Sequence, residues 1–382
     1  MKKLTLLIAA LVLSFTAQAT VFNCNPGTNN LSWYLTQGDT LVLADGEYEE
    51  AYSITFNQPN ACIKAAEGAK PVIKLTAEWA SFKLAATTTF EGITFDGGGV
   101  AYYPIAIEGE NTGIFTFNNC EFKNYQYYAI SNNNATTQTN VNSVVVNNCL
   151  FHDGGSAIYM NGKAACANLT VQNSTIYNIA GTDTYKAAIH IAEVTSDATF
   201  ATQTLIDHLT IYNIQTSSSV GAITIANASK TTISNSIIAS PEQKHIDSYN
   251  VPAEATIQNC LVHNQHLDDV WTATITKADP MVVDAASGDF MLYAESPAVG
   301  AGTDGSNLGD TRWGVKAGLK PGTKVLSKAV AAAEDGATIT LGDGIYEESS
   351  SFDFDKEGLT IVAAEGTKPV IKTTDQWTAL RI

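Results

Sequence analysis

The chain is poor in positive charge and almost without arginine. Lysine and arginine together number 21 against 38 aspartates and glutamates, giving a formal net charge of −17. Arginine occurs only at Arg312 and Arg381. An acidic surface of this kind repels phosphate, so nucleic acid and anionic membrane are excluded as partners. Polyanionic sugars are disfavoured as well, unless a cation bridges them. Beyond the first residues no apolar run reaches the ~20 residues that span a bilayer, so membrane insertion is not expected. Helical periodicity is also scarce. Apolar residues fall in short runs broken by Asn, Gly, Ser and Asp, which reads as strands and turns.

What is present begins with an address. Lys2 and Lys3 precede an apolar run over 4–15, and Ala17-Gln18-Ala19 supplies small residues for cleavage. This predicts a secretory signal peptide over 1–19, cleaved near Ala19, and a secreted or periplasmic protein. Six cysteines in an exported chain permit disulfides, with Cys24 and Cys62 as the candidate pair. The full chain is 45% hydrophobic, enough for a core.

One motif recurs along the chain. FTFNNCEFKN (115–124) aligns with VVVNNCLFHD (144–153), LTVQNSTIYN (169–178), TLIDHLTIYN (204–213), TTISNSIIAS (231–240) and ATIQNCLVHN (255–264), with TFEGITFDG (89–97) as a looser first member. The Asn falls at 119, 148, 173, 235 and 259; His208 replaces it once and Gly92 stands there at the start. A second motif follows most copies: YAIS (128–131), SAIYM (156–160), AAIHI (187–191), GAITI (221–225) and KHIDS (244–248). Three strand-like runs per repeat with no helical period predict an all-β parallel solenoid of about nine or ten coils. Stacked coils repeat every ~4.8 Å, so an Asn at one bend of every coil is expected to bond the next as an amide ladder. Asn-rich hairpins of an antiparallel sandwich would explain the Asn but not the fixed flanking pattern.

The hydrophobic-x-hydrophobic-x-Asn-x-x-hydrophobic repeat resembles the right-handed parallel β-helix of the pectate lyase superfamily. QGDTLVLADGEYEE (37–50) and ADPMVVDAASGDFMLYAESPAVGAG (278–302) are similar to the opening and closing segments of the chondroitinase B and alginate lyase family within it. The resemblance implies a right-handed parallel β-helix with three short strands per coil, over roughly 26–313. It leaves activity open, because this fold hosts lyases, hydrolases and binders. A larger repeat follows. PGTKVLSKAVAAAEDGATITLGDGIYEE (321–348) matches PGTNNLSWYLTQGDTLVLADGEYEE (26–50), and AAEGTKPVIKTTDQW (363–377) matches AAEGAKPVIKLTAEW (65–79). The expected organisation is a signal peptide (1–19), a β-helix (20–313) and the start of a second, truncated copy (314–382).

Alternation assigns the faces. Ile158, Met160, Ile189, Ile191, Ile223 and Ile225 should point inward. Ser131, Tyr159, His190, Thr224 and Asp247 should then stack outward as a substrate-binding column. Beside it, Ala129, Ala157, Ala188 and Ala222 would form the floor of a shallow sugar groove, and the resemblance implies a groove on the same sheet. The cluster TYKAAIHIAEV (184–194) carries the candidate chemistry. A polysaccharide lyase removes the proton beside a uronate carboxylate, for which Lys186 or His190 would be the base. No cofactor is fixed by the sequence; Ca2+, held by Glu193 with Asp183 or Asp197, is the candidate. Ordinary exposed polar residues on a strand are the competing reading. The resemblance implies a Lys and an Arg beside Ca2+-binding Asn and Glu residues, a set not matched here. The expected function is therefore binding or degradation of extracellular polysaccharide, with a uronic-acid lyase as the enzymatic form and a non-catalytic glycan-binding or display module of a tandem array as the alternative. Oligomeric state is left open.

Overall fold

The computed structural model describes residues 20–37, 39–108, 111–180, 187–191, 203–215, 221–225, 230–240, 255–263, 274–349, 351–375 and 380–381. The chain winds as a parallel β-solenoid of about 11 turns. That exceeds the number marked by the Asn motif, because the opening coils over 21–65 turn without an Asn at that corner. Each coil stacks strand on strand in register. The first strand row runs from Val21–Cys24 through Thr40–Leu43 and Ala61–Ala65 to Thr256–Gln258. The second runs from Gly27–Thr28 to Ile275–Lys277, and the third from Ile54–Phe56 to Ile223–Ile225.

Alternation drives this packing. In Pro71–Leu75 the first, third and fifth residues are buried and the others are not, the period-2 signature of a strand with one core face. Equivalent inward residues then stack on one another. Phe95, Phe122 and Phe151 form a file with ring centroids 4.8 Å apart and planes within 8°. Two strands, Tyr128–Asn147 and Ser156–Ala180, run 20 and 25 residues, far longer than the short runs expected. Neighbouring coils extend there and pair with each other from Asn132↔Met160 to Val141↔Cys166, with a shift of register between Asn134 and Thr139.

The corner residues have a conformational role. Gly92, Asn119, Asn148, Asn173, His208, Asn235 and Asn259 all take positive φ, between 48° and 70° apart from Asn173 at 44°. Asn and His tolerate the left-handed region better than most residues, which explains the substitutions seen at this position. The bonds found at this corner do not run as the expected amide-to-amide ladder. They reach a strap, residues 299–313, that crosses coil after coil. Asn259 donates to the Ala301 carbonyl, Asn235 exchanges bonds with Thr303, and Thr311 donates to the Asn173 side chain. Arg312 donates to the carbonyls of Asn148 and Cys149. His208 bridges Asp207 at 3.0 Å and the Ser306 hydroxyl at 2.8 Å. The aligned side-chain ladder lies one corner further on, where Asn213 donates to Asn178 at 2.8 Å and Asn178 to Asp153 at 3.3 Å.

The strap is pinned by Asp310, whose side chain is fully buried. It accepts from Arg312 and from the Thr175 hydroxyl at 2.8 Å. Before the strap, Val282–Asp284 and Asp289–Tyr293 pair antiparallel around a turn at Gly288, φ 78°. The closing segment is thus a hairpin, in which the left-handed glycine reverses the chain. None of the six cysteines is bridged, Cys24 and Cys62 included. Cys24 aligns with Leu43 and Cys62 with Thr40, so the two do not face each other. From Thr338 onward the second copy repeats the opening register at an offset of 298: Tyr48↔Ile73 becomes Tyr346↔Ile371, and Thr40↔Cys62 becomes Thr338↔Thr360. Its own core holds Leu326, Val330, Ile339, Leu341 and Tyr346.

Candidate functional site

The third strand row carries the outward column read from the sequence. Thr55, Lys83, Ala106, Ser131, Tyr159, His190 and Thr224 are successive partners in the parallel ladder. Tyr159 lies between Tyr128 and His190, with centroids 3.8 and 5.0 Å away. The column is in register, yet its middle is covered: Ser131 and Tyr159 are 3% exposed and His190 is 5%. Burial lowers the His190 pKa to about 4, so the ring is neutral at pH 7. The inward isoleucines and Met160 are buried as expected. Ala129, Ala157, Ala188 and Ala222 are also fully buried. They are core where a groove floor was expected, because they pack coil on coil, as the Ala157 N–H donating to the Ala188 carbonyl at 3.0 Å shows. Lys186, Glu193, Asp247, Asp183 and Asp197 lie outside the described residues. Among the described residues no three His, Cys, Asp or Glu side chains converge as metal ligands.

The same face opens toward the N-terminal coils. There a cavity of about 200 Å3 is lined by Ser53, Glu78, Trp79, Ser81, Lys83 and Tyr103, with Glu108 at its rim. Trp79 is 67% exposed, a large apolar surface left in water, as it is at Tyr52 and Trp33, while the phenylalanines of the core are buried in files. Its backbone is held on both sides. The Ser53 hydroxyl donates to the Trp79 carbonyl at 2.7 Å, and the Tyr102 N–H donates to the Glu78 carbonyl at 2.9 Å. Tyr102 and Tyr103 approach the indole at 5.0 and 6.2 Å. The Tyr102 hydroxyl donates to Glu78, which raises its pKa. Tyr103 stacks on Tyr128 at 5.6 Å, so aromatic contact runs from exposed Trp79 through Tyr103, Tyr128 and Tyr159 to His190. Lys83 pairs with Glu108 at 3.1 Å, and with Glu78 the rim carries more negative than positive charge. Chemically the trough offers a flat apolar platform ringed by carboxylate, ammonium and hydroxyl groups. That combination fits a ligand with one apolar face and a hydroxylated edge.

The outward column expected from the sequence and the Trp79 cavity share this face, with Lys83 in the same register column as His190. Trp79 carried a usable signal, since TAEW at 76–79 returns as TDQW at 374–377 in the second copy. Lys83 and Tyr103 gave none, because Lys83 precedes the first Asn motif.

A family described as Domain of unknown function (DUF4957) matches residues 46–179, which include Trp79 and the covered column as far as Tyr159. No curated protein matches the chain. Among solved structures the chain is similar to the PL6 family alginate lyase AlyGC, at 12% identity over 94% of this chain and 71% of that one, with a TM-score of 0.28. A mutant of the same lyase matches at 13% identity, over 92% and 68%, with a TM-score of 0.28. A superposition this loose fixes neither a site nor a reaction. The parallel β-helix rests on the strand register itself.

Proposed function

We propose that the protein is an exported polysaccharide-binding β-helix that seats a sugar ring on Trp79. The exposed indole carries the reading: it stands beside a polar cavity, its backbone fixed from two neighbouring coils, while most other large aromatics are packed away. A pyranose presents a C–H face to such a ring and hydroxyls to Glu78, Glu108 and Lys83. The excess of carboxylates favours a neutral glycan over a polyuronate, in keeping with the net charge of the chain. Export follows from the signal-peptide pattern at 1–19, which lies outside the described residues.

Lyase action on a uronic-acid polymer is the second reading, favoured by Lys83 and His190 standing in one column of this face. Both are tested together. Affinity electrophoresis in gels containing laminarin, xyloglucan, dextran, alginate or pectate should show retention by a neutral polymer that Trp79→Ala removes. Absorbance near the ultraviolet band of a 4,5-unsaturated uronide, with and without Ca2+, should stay flat. Growth of that band would establish the lyase, and retention by none of the polymers would overturn the binding reading.

A further inference from the structure

A larger cleft lies beyond the tyrosines that flank Trp79. Its volume is about 520 Å3, and its polar lining is Gln126, Tyr127, Asp153, Asn178, Asn213 and Gln215. Tyr127 touches Tyr102 at 4.8 Å and Tyr103 at 5.8 Å, so one tyrosine ridge separates this cleft from the Trp79 trough. The lining is built. Asp153, Asn178 and Asn213 occupy equivalent positions in successive coils, all at φ between 51° and 53°. Asn213 donates to Asn178 and Asn178 to Asp153. Each amide nitrogen carries two N–H groups and the ladder uses one, so Asn178 and Asn213 each keep a donor for a ligand, while Asp153 offers acceptor oxygens.

Asp153 is fixed from behind. Its second oxygen binds His152 Nδ1 at 2.6 Å, while His152 Nε2 binds Glu121 at 2.9 Å. Two carboxylates on one imidazole call for both ring nitrogens to donate, which is the imidazolium form. The ring is also stacked on Tyr177 at 4.9 Å. The wall is closed by Gly154, where an added Cβ would meet the Tyr125 ring at 2.5 Å.

We propose that this cleft is a second glycan subsite, which takes consecutive hydroxyl-bearing sugars of a neutral chain laid along the solenoid axis. The inference rests on the polysaccharide reading of the Trp79 trough and extends the bound chain across the tyrosine ridge. The rungs repeat every ~4.8 Å, close to the advance of one sugar in an extended chain, so successive rings would meet equivalent amides. Among the described residues Asp153 is the one formally charged group of the lining. It accepts from sugar hydroxyls and repels polyuronates.

The test uses the whole protein with laminarin, xyloglucan and dextran as probes, in calorimetric titrations of wild type, Trp79→Ala, and Asn213→Gly with Gln215→Ala. Glycine at 213 preserves the left-handed backbone while removing the amide, and thermal unfolding confirms that the variant is folded. The double variant should bind on the order of tenfold more weakly, the loss of one or two neutral hydrogen bonds. Unchanged affinity in the double variant, with loss in Trp79→Ala, overturns the second subsite and leaves the trough reading standing. Loss in the double variant alone overturns the trough and keeps the cleft. No binding of any probe by wild type overturns both.

Discussion

Replacing Asp310 by alanine tests the claim that the strap over 299–313 is bound to the corner row. Asp310 is completely buried while Arg312, its partner, keeps 37% of its side chain in solvent. The carboxylate accepts from the Arg312 guanidinium at 2.6 Å, the Arg312 backbone at 3.1 Å and the Thr175 hydroxyl at 2.8 Å. Breaking a buried pair by removing one member costs about 3–5 kcal/mol. Arg312 retains water and the carbonyls of Asn148 and Cys149, so the lower end, about 3 kcal/mol, applies. Asp310→Asn keeps an acceptor for Thr175 and should cost about 1–2 kcal/mol. Urea unfolding followed by circular dichroism gives the difference, and limited proteolysis should reveal new cuts within 299–313 in the alanine variant. A loss below about 0.5 kcal/mol, the range of ordinary surface substitutions, with no new cut would refute the reasoning.

Three further outcomes follow from buried and paired groups. His152 holds the Glu121 pKa down at about 2 from 4.5, a shift equivalent to about 3 kcal/mol that partial exposure at 30% reduces to roughly 1–2. Burial alone would lower the His152 pKa, but its bonds to Glu121 and Asp153 outweigh that and raise it. His152→Asn should therefore lose stability chiefly between pH 4.5 and 6.5. The wild-type advantage should vanish as pH falls through the depressed Glu121 pKa, and it should decline as pH rises through the elevated His152 pKa; pH-dependent urea titrations check this. Glu50 is 1% exposed and accepts from the Leu31 N–H at 3.0 Å. Burial raises its pKa, so its ionisation opposes folding as pH climbs above 4.5; Glu50→Gln should raise the midpoint of thermal melting at pH 7, and a lower midpoint would contradict this. Cys24, Cys120, Cys149, Cys166 and Cys260 are buried and unbridged; Ellman titration should find them silent in the native protein and reactive in guanidinium without reductant.

The fold was legible because its cause is local and repeats. The Asn motif marks a corner that needs a left-handed residue, and the isoleucines of AAIHI and GAITI mark an inward face by simple alternation. The strap was not legible, since 299–313 has no repeat of its own and its partners, Asn148 to Asn259, lie up to 164 residues away. The Asn row was therefore expected to satisfy itself, whereas it binds a crossing segment. The site was legible only as a face. Register placed Ser131, Tyr159, His190 and Thr224 in one column, but burial depends on what lies over a strand, and alternation carries no trace of that. Trp79 sits in a turn, outside any period, and only its return at Trp377 distinguished it.

The most direct measurement is acrylamide quenching of tryptophan fluorescence in wild type and Trp79→Phe, with and without the neutral polysaccharide that the protein retains. Trp79 is the most exposed indole among the large hydrophobics of the described surface. A bound sugar ring should shield part of the wild-type emission from quencher, and that protection should disappear in Trp79→Phe. Equal protection in the two proteins would place the glycan elsewhere and contradict the account.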